Sequence, residues 1–418
     1  MKKLVILGGG TAGTMMANKL WKALSNKEWK ITIIDKETTH YYQPGFLFIP
    51  FGIYQKEDVI KPKKKFYPQD IDVLFIDIDK IEADQNRVLL SDKQIIEYDY
   101  LIVATGSEIR PDEVEGMTGK LWRKSIFDFY TLEGSLALAD FLEGWEGGRL
   151  VVNIAEMPIK CPVAPMEFAF LADAYFKRQS MRDKVDITFV TPLPGAFTKP
   201  VCSEVLAGTL EKRKIKVESE FAIGQVDNQE KKIISWDDRE IPFDLLVAVP
   251  TNMGSRAIQR SGMGDELNYI PTDRNTLQSK VWKNIFVIGD ATDLPTSKAG
   301  AVAHFEGDVL FQNMIDVISG RTPSASFDGH SNCFIESGNG KAMLIDFNYN
   351  TEPLPGKFPL SVIGPFSLLE ETAINHWGKM MFKWIYWNAI IKGRELPINS
   401  HMSMAGKKVP KTIKTAPA

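Results

Sequence analysis

Two cysteines, Cys161 and Cys333, lie in segments that could make a thiol reactive. Cys161 belongs to the segment Lys160–Pro165 (KCPVAP), whose prolines predict a stiff turn at the start of a helix. The partial positive charge at a helix N-terminus lowers the pKa of a thiol and favours the nucleophilic thiolate. Cys333 precedes an apolar strand pattern. The alternative for both is a buried, inert thiol, because free cysteine is among the most buried residues.

The cysteine inventory limits the chemistry further. The chain has 3 cysteines in 418 residues, which is too few for the disulfide scaffold of a secreted protein. Their positions do not have the spacing of metal ligands, so we expect no metal site. Redox chemistry at one pair remains open, and for Cys202 we expect a structural role.

A glycine-rich turn near the N-terminus predicts a dinucleotide site. Gly8, Gly10 and Gly13 follow an apolar strand pattern and open a helical one, and Asp35 ends the next strand pattern. Gly8 allows the tight turn, Gly10 allows a pyrophosphate to approach the backbone, and Gly13 allows helix and strand to pack closely. Asp35 can accept a hydrogen bond from a ribose hydroxyl.

Repeated strand patterns predict the organisation of the chain. The apolar runs at 98–106 and 244–250 are nearly alike, and a late run at 284–290 would return the chain to the first sheet. We therefore expect an α/β protein with two Rossmann-like domains and a C-terminal α+β domain. The expected boundaries are 1–110 with 266–330 for the first domain, 111–265 for the second and 331–418 for the third.

The second predicted domain lacks a glycine fingerprint. The strand pattern 148–154 is followed by 155–165, where side chains and prolines occupy the positions at which backbone N–H groups would cradle a phosphate. Use of NAD(P)H is therefore not expected.

Taken together, these motifs resemble the flavoprotein disulfide reductase superfamily and, within it, the sulfide:quinone oxidoreductases. The resemblance covers about residues 1–395, and the two cysteine segments are its most specific part. Its motifs are Tyr41–Gly45 (YYQPG), Ala104–Gly106 (ATG), Lys160–Pro165, Ile288–Asp290 (IGD), Lys298–Glu306 (KAGAVAHFE) and Asn332–Met343 (NCFIESGNGKAM).

The resemblance implies an FAD cofactor in the first domain. No cysteine lies between 107 and 160, where some members attach FAD covalently, so non-covalent FAD is expected. A helix beginning near Lys298 and Ala299 would point at the flavin, where dipole and ammonium could stabilise its reduced form. The implied cofactor-binding residues are Gly8, Gly10, Gly13, Asp35, Pro44, Thr105, Gly106, Asp290, Lys298 and Ala299.

The resemblance also implies the reaction. Hydrogen sulfide attacks the sulfur-bridged pair Cys161 and Cys333, and the thiolate that leaves delivers two electrons to FAD. The products are polysulfide or zero-valent sulfur and a reduced membrane quinone. Which cysteine contacts the flavin is left open. His304 and His376 are candidates for proton transfer, although a structural role is favoured for both.

An aromatic segment near the C-terminus indicates contact with a membrane. Residues 377–391 combine aromatic and aliphatic side chains with Lys379, Lys383 and Lys392, as an interfacial helix would. The resemblance suggests Phe366 and Tyr386 as quinone neighbours. The alternative is a core helix of the third domain. We expect a peripheral, monotopic membrane protein without a signal peptide, on a membrane face that the sequence leaves open, with a homo-oligomer possible.

Charge excludes one class of partner and leaves a basic run to explain. The formal net charge is −3, so no broad electrostatic footprint for nucleic acid exists. The basic run Lys61–Lys65 is expected to be a solvated loop rather than an anion site.

Three alternatives stay open from the sequence. They are the flavin subunit of flavocytochrome c sulfide dehydrogenase, a type II NADH:quinone oxidoreductase, and a non-catalytic flavin-binding sulfur carrier or sensor. The first is exported, the second would bleach its flavin with NADH, and the third would show no turnover.

Overall fold

The computed structural model describes residues 1–359 and 364–409. Up to residue 110 the strands are β1 (Lys2–Leu7), β2 (Trp29–Ile34), β3 (Thr39–Tyr41), β4 (Ile60–Pro62), β5 (Asp72–Leu74), β6 (Ile78–Glu82), β7 (Arg87–Leu90), β8 (Ile95–Glu97), β9 (Tyr100–Val103) and β10 (Ser107–Arg110). The helices of this segment are α1 (Thr11–Ala23) and α2 (Lys56–Val59), with short 3₁₀ helices at Gln43–Phe51, Lys63–Phe66 and Ala83–Gln85.

The next segment repeats the alternation of strand and helix. Its strands are β11 (Ile126–Phe127), β12 (Gly148–Ile154), β13 (Val185–Val190), β14 (Lys216–Glu218), β15 (Ile223–Asp227), β16 (Lys232–Ser235), β17 (Glu240–Pro242), β18 (Leu245–Val249) and β19 (Thr251–Gly254). Its helices are α3 (Leu132–Glu143), α4 (Ala164–Arg178), α5 (Pro200–Lys212) and α6 (Arg256–Ser261), with 3₁₀ helices at Pro111–Glu113 and Arg182–Lys184.

The remaining elements return to the first domain and then build the third. They are β20 (Ile285–Val287), a 3₁₀ helix at Gly289–Ala291, α7 (Gly300–Ile318), β21 (Ser331–Gly338), β22 (Lys341–Phe347), β23 (Gly356–Phe358), β24 (Phe366–Leu368), α8 (Ala373–Ile385) and a π-helical turn at Tyr386–Ile390.

Two parallel sheets of similar construction form the centres of the first two domains. The first has the order β20-β9-β1-β2-β5, and β20 pairs with β9, so the chain does return to this sheet after the second domain. The second has the order β11-β18-β12-β13-β14. The central strands are mostly apolar and mostly buried, since both faces of such sheets are covered by helices. The antiparallel pair β10 and β19 connects the two domains.

The third domain is an α+β unit. Its sheet has the order β21-β22-β24-β23, and α8 packs against β21 and β22. Thr372 caps α8, since its hydroxyl accepts a hydrogen bond from the backbone N–H of Asn375 at 3.2 Å. Residues 410–418 of the expected third domain lie outside the described residues. In the described ranges, no helix has the length and apolarity that crossing a membrane requires.

Candidate functional site

A cavity of about 350 Å³ opens at the carboxyl ends of β1, β2 and β9, where doubly wound sheets bind their ligands. All three domains contribute to its wall, because α4 and α8 supply Glu167 and Lys379. Of the residues expected to hold the cofactor, those in this wall are Gly8, Gly10, Asp35, Pro44, Thr105, Gly106, Asp290, Lys298 and Ala299. Cys161 lines the same cavity.

The glycine turn is shaped for a phosphate group. Gly8 has φ +91°, a conformation that side chains other than glycine rarely adopt. A Cβ on Gly13 would lie 1.8 Å from the carbonyl oxygen of Gly8, so Gly13 serves the packing of α1 on β1 and does not line the cavity. A Cβ on Gly10 would meet nothing within 4 Å. No side chain caps α1, which leaves its first N–H groups for an anion.

Asp35 has a cationic partner that sequence reasoning missed. The ammonium of Lys63 lies 2.8 Å from the carboxylate of Asp35, and both side chains are largely buried. Asp35 also accepts a hydrogen bond from the backbone N–H of Gly9 at 2.5 Å. The expectation of a solvated basic run is therefore wrong for Lys63, which lines the cavity. Nothing in the run distinguishes Lys63 from its neighbours.

The opposite wall holds Asp290, Thr105 and Lys298. The hydroxyl of Thr105 is buried without a hydrogen-bond partner in the described chain, so it is available to a bound group. Lys298 donates to the carbonyls of Asp290 at 3.1 Å and Thr292 at 2.6 Å. Burial lowers the pKa of Lys298. Its ammonium thus braces the Asp290 turn, while Ala299 and the N-terminus of α7 face the cavity.

The segment around Cys161 folds over this cavity. Cys161 has φ +46°, and its backbone N–H donates to the carbonyl of Lys298 at 2.8 Å. The neighbouring Lys160 is also in the cavity wall, and its ammonium donates to the carbonyl of Ser107 at 3.2 Å. The loop after β12 therefore forms part of the wall of the first domain's cavity. In this position it does not need the glycines that would bind a phosphate in the second domain.

The thiol environment differs from the expectation. Burial raises the pKa of Cys161 and so does the carboxylate of Glu167, whereas the sequence predicted a lowered pKa. The reason is that α4 begins at Ala164, beyond Cys161, so the helix N-terminus is outweighed by desolvation. Burial likewise raises the pKa of Cys333 to about 11. All three cysteines are free thiols here.

A buried ion pair joins the two cysteine segments. The carboxylate of Glu167, on α4, lies 2.7 Å from the ammonium of Lys379 on α8. The same carboxylate accepts from the backbone N–H of Glu336 at 2.6 Å, and Lys379 donates to the carbonyl of Phe334 at 2.8 Å. Glu336 and Phe334 follow Cys333 in β21, and Cys161 and Cys333 pack on one hydrophobic cluster. The pair therefore holds the Cys333 strand against the helix that follows Cys161.

A second acid–base pair, Glu336 and His376, lies next to this ion pair. One oxygen of Glu167, Oε2, is buried without a partner in the described chain, and Glu167 lines the cavity. Nδ1 of His376 lies 2.8 Å from Oε2 of Glu336, and His376 is 24% exposed. Burial raises the pKa of Glu167, and Lys379 opposes that shift. Glu167 thus lies at the cavity, and the neighbouring Glu336–His376 pair reaches the partly exposed His376.

Lys379 and Glu167 were not predicted in these roles. Lys379 was expected to reach lipid headgroups with the other lysines of its helix, but it turns inward because buried Glu167 pairs with it. Glu167 had a usable signal, since it stands in the otherwise apolar stretch Ala164–Ala172. A charged residue within a buried helical run indicates a partner or a function.

The two residues suggested as quinone neighbours lie in different surroundings. Tyr386 is fully buried; its hydroxyl lies 2.8 Å from that of Thr11 and 2.7 Å from Nε2 of His40, beside the glycine turn. Phe366 packs edge-on against Phe334 with ring centroids 5.4 Å apart. Neither residue lines the cavity, so both roles stay predictions.

Comparisons with known proteins agree with this construction. A family model described as pyridine nucleotide-disulphide oxidoreductase matches residues 2–138. The mitochondrial sulfide:quinone oxidoreductase of Schizosaccharomyces pombe is 27% identical, covering 93% of this chain and 90% of that protein. A type II NADH:quinone oxidoreductase of Staphylococcus aureus is 25% identical over 85% of this chain and 92% of its own length.

A solved structure extends the match to the fold. The X-ray structure of the sulfide:quinone oxidoreductase from Aquifex aeolicus has a TM-score of 0.78 at 20% identity, covering 94% of this chain and 92% of that one. The chain therefore has the pyridine nucleotide-disulphide oxidoreductase fold, with the cavity of a dinucleotide-dependent oxidoreductase. Within that class it is an enzyme similar over nearly its whole length to the sulfide:quinone oxidoreductases.

The cofactor implied by this fold and these relatives is FAD, held without a covalent bond. The residues present fit it. Gly10 leaves its surroundings open, α1 has free N–H groups, Thr105 has an unused hydroxyl, and Asp35 and Asp290 can accept from ribose and ribityl hydroxyls.

Gly10 allows the cofactor site to be tested apart from folding. Because a Cβ here meets no protein atom, Gly10→Val should fold normally yet obstruct the pyrophosphate, lowering FAD affinity roughly tenfold or more. Flavin absorbance per protein and circular dichroism after purification measure both effects. Gly208→Val is the matched control, since Gly208 is also open and lies on α5. A flavin-replete Gly10→Val protein would contradict this assignment.

Proposed function

We propose that the protein oxidises hydrogen sulfide to polysulfide or zero-valent sulfur and passes the electrons through FAD to a membrane quinone. The observation that carries the proposal is the junction at one cavity of a dinucleotide-binding turn, Cys161, and the ion pair that ties α4 to the Cys333 strand. When bound, FAD accepts two electrons from reduced sulfur and releases them to an acceptor.

We infer different duties for the two cysteines from their positions relative to the cavity. Cys161 lines it, whereas Cys333 lies behind it in β21, so we infer that Cys161 is the thiol nearer the flavin. HS⁻ attacks Cys333 in the oxidised pair, a persulfide bond forms there, and Cys161 leaves with the electron pair as a thiolate. A second HS⁻ removes the terminal sulfur as hydrogen disulfide and leaves Cys333 as a thiolate. When the two thiolates re-form the Cys161–Cys333 bond they give up two electrons, which bound FAD would accept together with one proton.

Proton uptake needs a group that the cysteines do not supply. Both thiols sit in surroundings that raise their pKa values, so a nearby cation is needed when they become thiolates. Lys379 meets this need, since it lowers the pKa of both thiols. Glu167 lines the cavity, and its unpartnered Oε2 can hold the proton there.

Among the alternatives, the type II NADH:quinone oxidoreductases are the main competitor, because the Staphylococcus aureus enzyme is similar over most of this chain. The loop after β12 argues against them here, because it closes over the first domain's cavity through Cys161 and Lys160 instead of forming a phosphate cradle. We expect anaerobic sulfide to bleach the visible flavin band and NADH to leave it unchanged. Bleaching by NADH at a comparable rate would favour the competitor.

A steady rate of quinone reduction with sulfide tests the function directly. Purified flavoprotein, sulfide and a short-chain quinone suffice, with quinone absorbance as the measurement. Turnover separates an enzyme from a sulfur carrier or sensor, which would reduce its flavin once. Reduction of cytochrome c in place of quinone would instead favour the flavocytochrome-type alternative.

The membrane part of the proposal rests on α8. Its residues Ile374, Trp377, Met381 and Trp384 are exposed at 45%, 69%, 52% and 65% and lie on one side of the helix. The other side is buried, and the following residues Tyr386 and Trp387 belong to the core. The segment therefore has features of both alternatives drawn from the sequence, an interfacial helix on its exposed side and a core helix on its buried side. A quinone dissolved in a bilayer would reach the protein at the exposed side.

A further inference from the structure

The C-terminal turn, defined as residues 386–393, lies along helix α1 of the first domain. The side-chain amide of Asn18 donates to the carbonyl of Ile391 at 2.8 Å, and the ammonium of Lys22 donates to the carbonyl of Gly393 at 3.1 Å. Gly393 has φ +58°, and a Cβ there would lie 2.9 Å from a backbone nitrogen of α1. This close approach attaches the third domain to the helix whose N-terminal end lines the cavity.

Tyr386 begins this turn and contacts the end of α1 that lines the cavity. The helix of the third domain changes from α to π geometry at Tyr386, and such wide turns are frequent at functional sites. The hydroxyl of Tyr386 lies 2.8 Å from that of Thr11 and 2.7 Å from Nε2 of His40. Thr11 and His40 both line the cavity, whereas Tyr386 is fully buried and does not. Tyr386 can therefore act on a bound dinucleotide only through these two neighbours.

His40 is a neutral imidazole with one nitrogen unused. Burial, and to a lesser extent the ammonium of Lys63, lowers the pKa of His40 to about 3. Its Nδ1 is buried without a hydrogen-bond partner in the described chain. A neutral imidazole carries one proton, so only one of its nitrogens donates. Because phosphate oxygens only accept, a bound dinucleotide favours the tautomer that carries the proton on Nδ1, and Nε2 then accepts from the hydroxyl of Tyr386.

We propose that Tyr386 is a positioning residue for the cofactor, and that binding of the dinucleotide and docking of the C-terminal turn on α1 stabilise each other. The hydroxyl of Thr11 donates to that of Tyr386, Tyr386 donates to Nε2 of His40, and Nδ1 of His40 donates to the cofactor beside the glycine turn. Each hydrogen bond orients the next. The inference goes beyond the proposed function, since it concerns the assembly of the holoprotein rather than its reaction.

The coupling follows from the single hydroxyl that the two domains share. If the C-terminal turn leaves α1, Nε2 of His40 loses its donor, and a buried nitrogen without a partner carries a free-energy cost. The cofactor then binds more weakly. By thermodynamic linkage, the cofactor must hinder the opening of the turn by the same factor. The third domain also carries Cys333, so retention of flavin reports that the domain with this cysteine has docked.

FAD release from the full-length holoprotein tests the positioning role. The holoprotein is diluted, and the rise in flavin fluorescence gives the rate constant of release. Tyr386→Phe should release FAD at least about fivefold faster than wild type, because Nε2 of His40 loses its donor while the ring still fills its place. Tyr54→Phe is the matched control, since the hydroxyl of Tyr54 also joins the first domain to α8, through the sulfur of Met380 at 3.8 Å, without reaching a residue of the cavity wall. Its release rate should stay within about twofold of wild type.

A second variant, His40→Asn, shows whether Tyr386 acts through the imidazole. The asparagine amide can donate near the position of Nδ1 and needs no second donor from Tyr386. Tyr386→Phe should therefore speed release in the wild-type background and leave it unchanged in the His40→Asn background. An equal effect of Tyr386→Phe in both backgrounds would overturn the proposed route.

Hydrogen exchange measures the reciprocal effect on the C-terminal turn. The backbone N–H of Ile391 donates to the carbonyl of Tyr386 at 3.3 Å, and that of Gly393 donates to the carbonyl of Ile390 at 2.9 Å, so exchange of these amides reports opening of the turn. Compared with the flavin-depleted full-length chain, wild-type holoprotein should exchange them at least about fivefold more slowly. Tyr386→Phe should lose most of this difference. Helix α5 of the second domain is the internal reference, because it does not line the cavity.

Two further outcomes would contradict the inference. A Tyr386→Phe holoprotein that keeps FAD as firmly as wild type would do so even if it melts at a lower temperature, since that combination describes a purely structural tyrosine. Equal exchange of the C-terminal turn with and without FAD would disprove the coupling. None of these measurements uses sulfide or a quinone, so the proposed reaction and this inference can fail independently.

Discussion

Replacing Cys161 or Cys333 by alanine should abolish sulfide-dependent quinone reduction, with a loss on the order of a thousandfold or more. Each variant lacks one half of the sulfur bridge, so HS⁻ has no bond to cleave and no thiolate leaves. Because neither side chain holds the dinucleotide, both variants should retain flavin. Steady-state quinone reduction and anaerobic flavin bleaching by sulfide measure the effect.

Cys202 provides a matched control for this prediction. It is fully buried in the same hydrophobic cluster and does not line the cavity, and burial raises its pKa to about 12, which disfavours a thiolate. Cys202→Ala should therefore keep the rate within about twofold of wild type at some cost in stability. A Cys333→Ala protein that turns over normally would refute the cysteine-pair mechanism, and an inactive but folded Cys202→Ala protein would show that a third cysteine takes part.

The parts of the molecule that could be predicted from the sequence are those whose local residue pattern is compatible with a single type of structure. The glycine turn, Asp35 and the apolar strand runs predict a parallel sheet with a dinucleotide site, because buried parallel strands and a pyrophosphate turn demand these residues. The return of the chain at β20 followed from the same pattern. The motif at Cys161 placed this cysteine in the second domain, and the structure brings it to the cavity of the first.

What could not be predicted depends on long-range contacts. Lys63 and Lys379 look like surface lysines in the sequence, yet both are buried. Lys63 pairs with Asp35, and Lys379 pairs with Glu167, each a carboxylate from another element. The pKa of Cys161 was misjudged for a related reason, since the helix dipole is a local property whereas desolvation depends on the whole surroundings. The charge of a lysine therefore predicts that its side chain is exposed only where the fold brings no buried carboxylate next to it.

Glu167→Gln should slow turnover on the order of a hundredfold while leaving the flavin bound. The glutamine keeps the shape of the side chain and can still accept from the backbone N–H of Glu336, but it cannot take up a proton at Oε2. Lys379→Met should slow turnover to a similar extent, because removing the ammonium lets burial raise the pKa of Glu167 further and hold it protonated. Quinone reduction over a range of pH, with flavin content as the fold check, measures both.

The double variant Glu167→Gln/Lys379→Met separates proton transfer from support of the fold. Breaking a buried ion pair from one side leaves a lone buried polar group or charge, at a cost of roughly 3–5 kcal/mol, whereas removing both partners restores neutrality. We therefore expect the double variant to melt at a higher temperature than the Lys379→Met single variant, yet to stay as slow as either single variant. If activity recovers together with stability, the pair serves only to hold β21 against α4. If stability recovers and the rate does not, Glu167 and Lys379 act on the proton, because their packing role has then been supplied by neutral side chains.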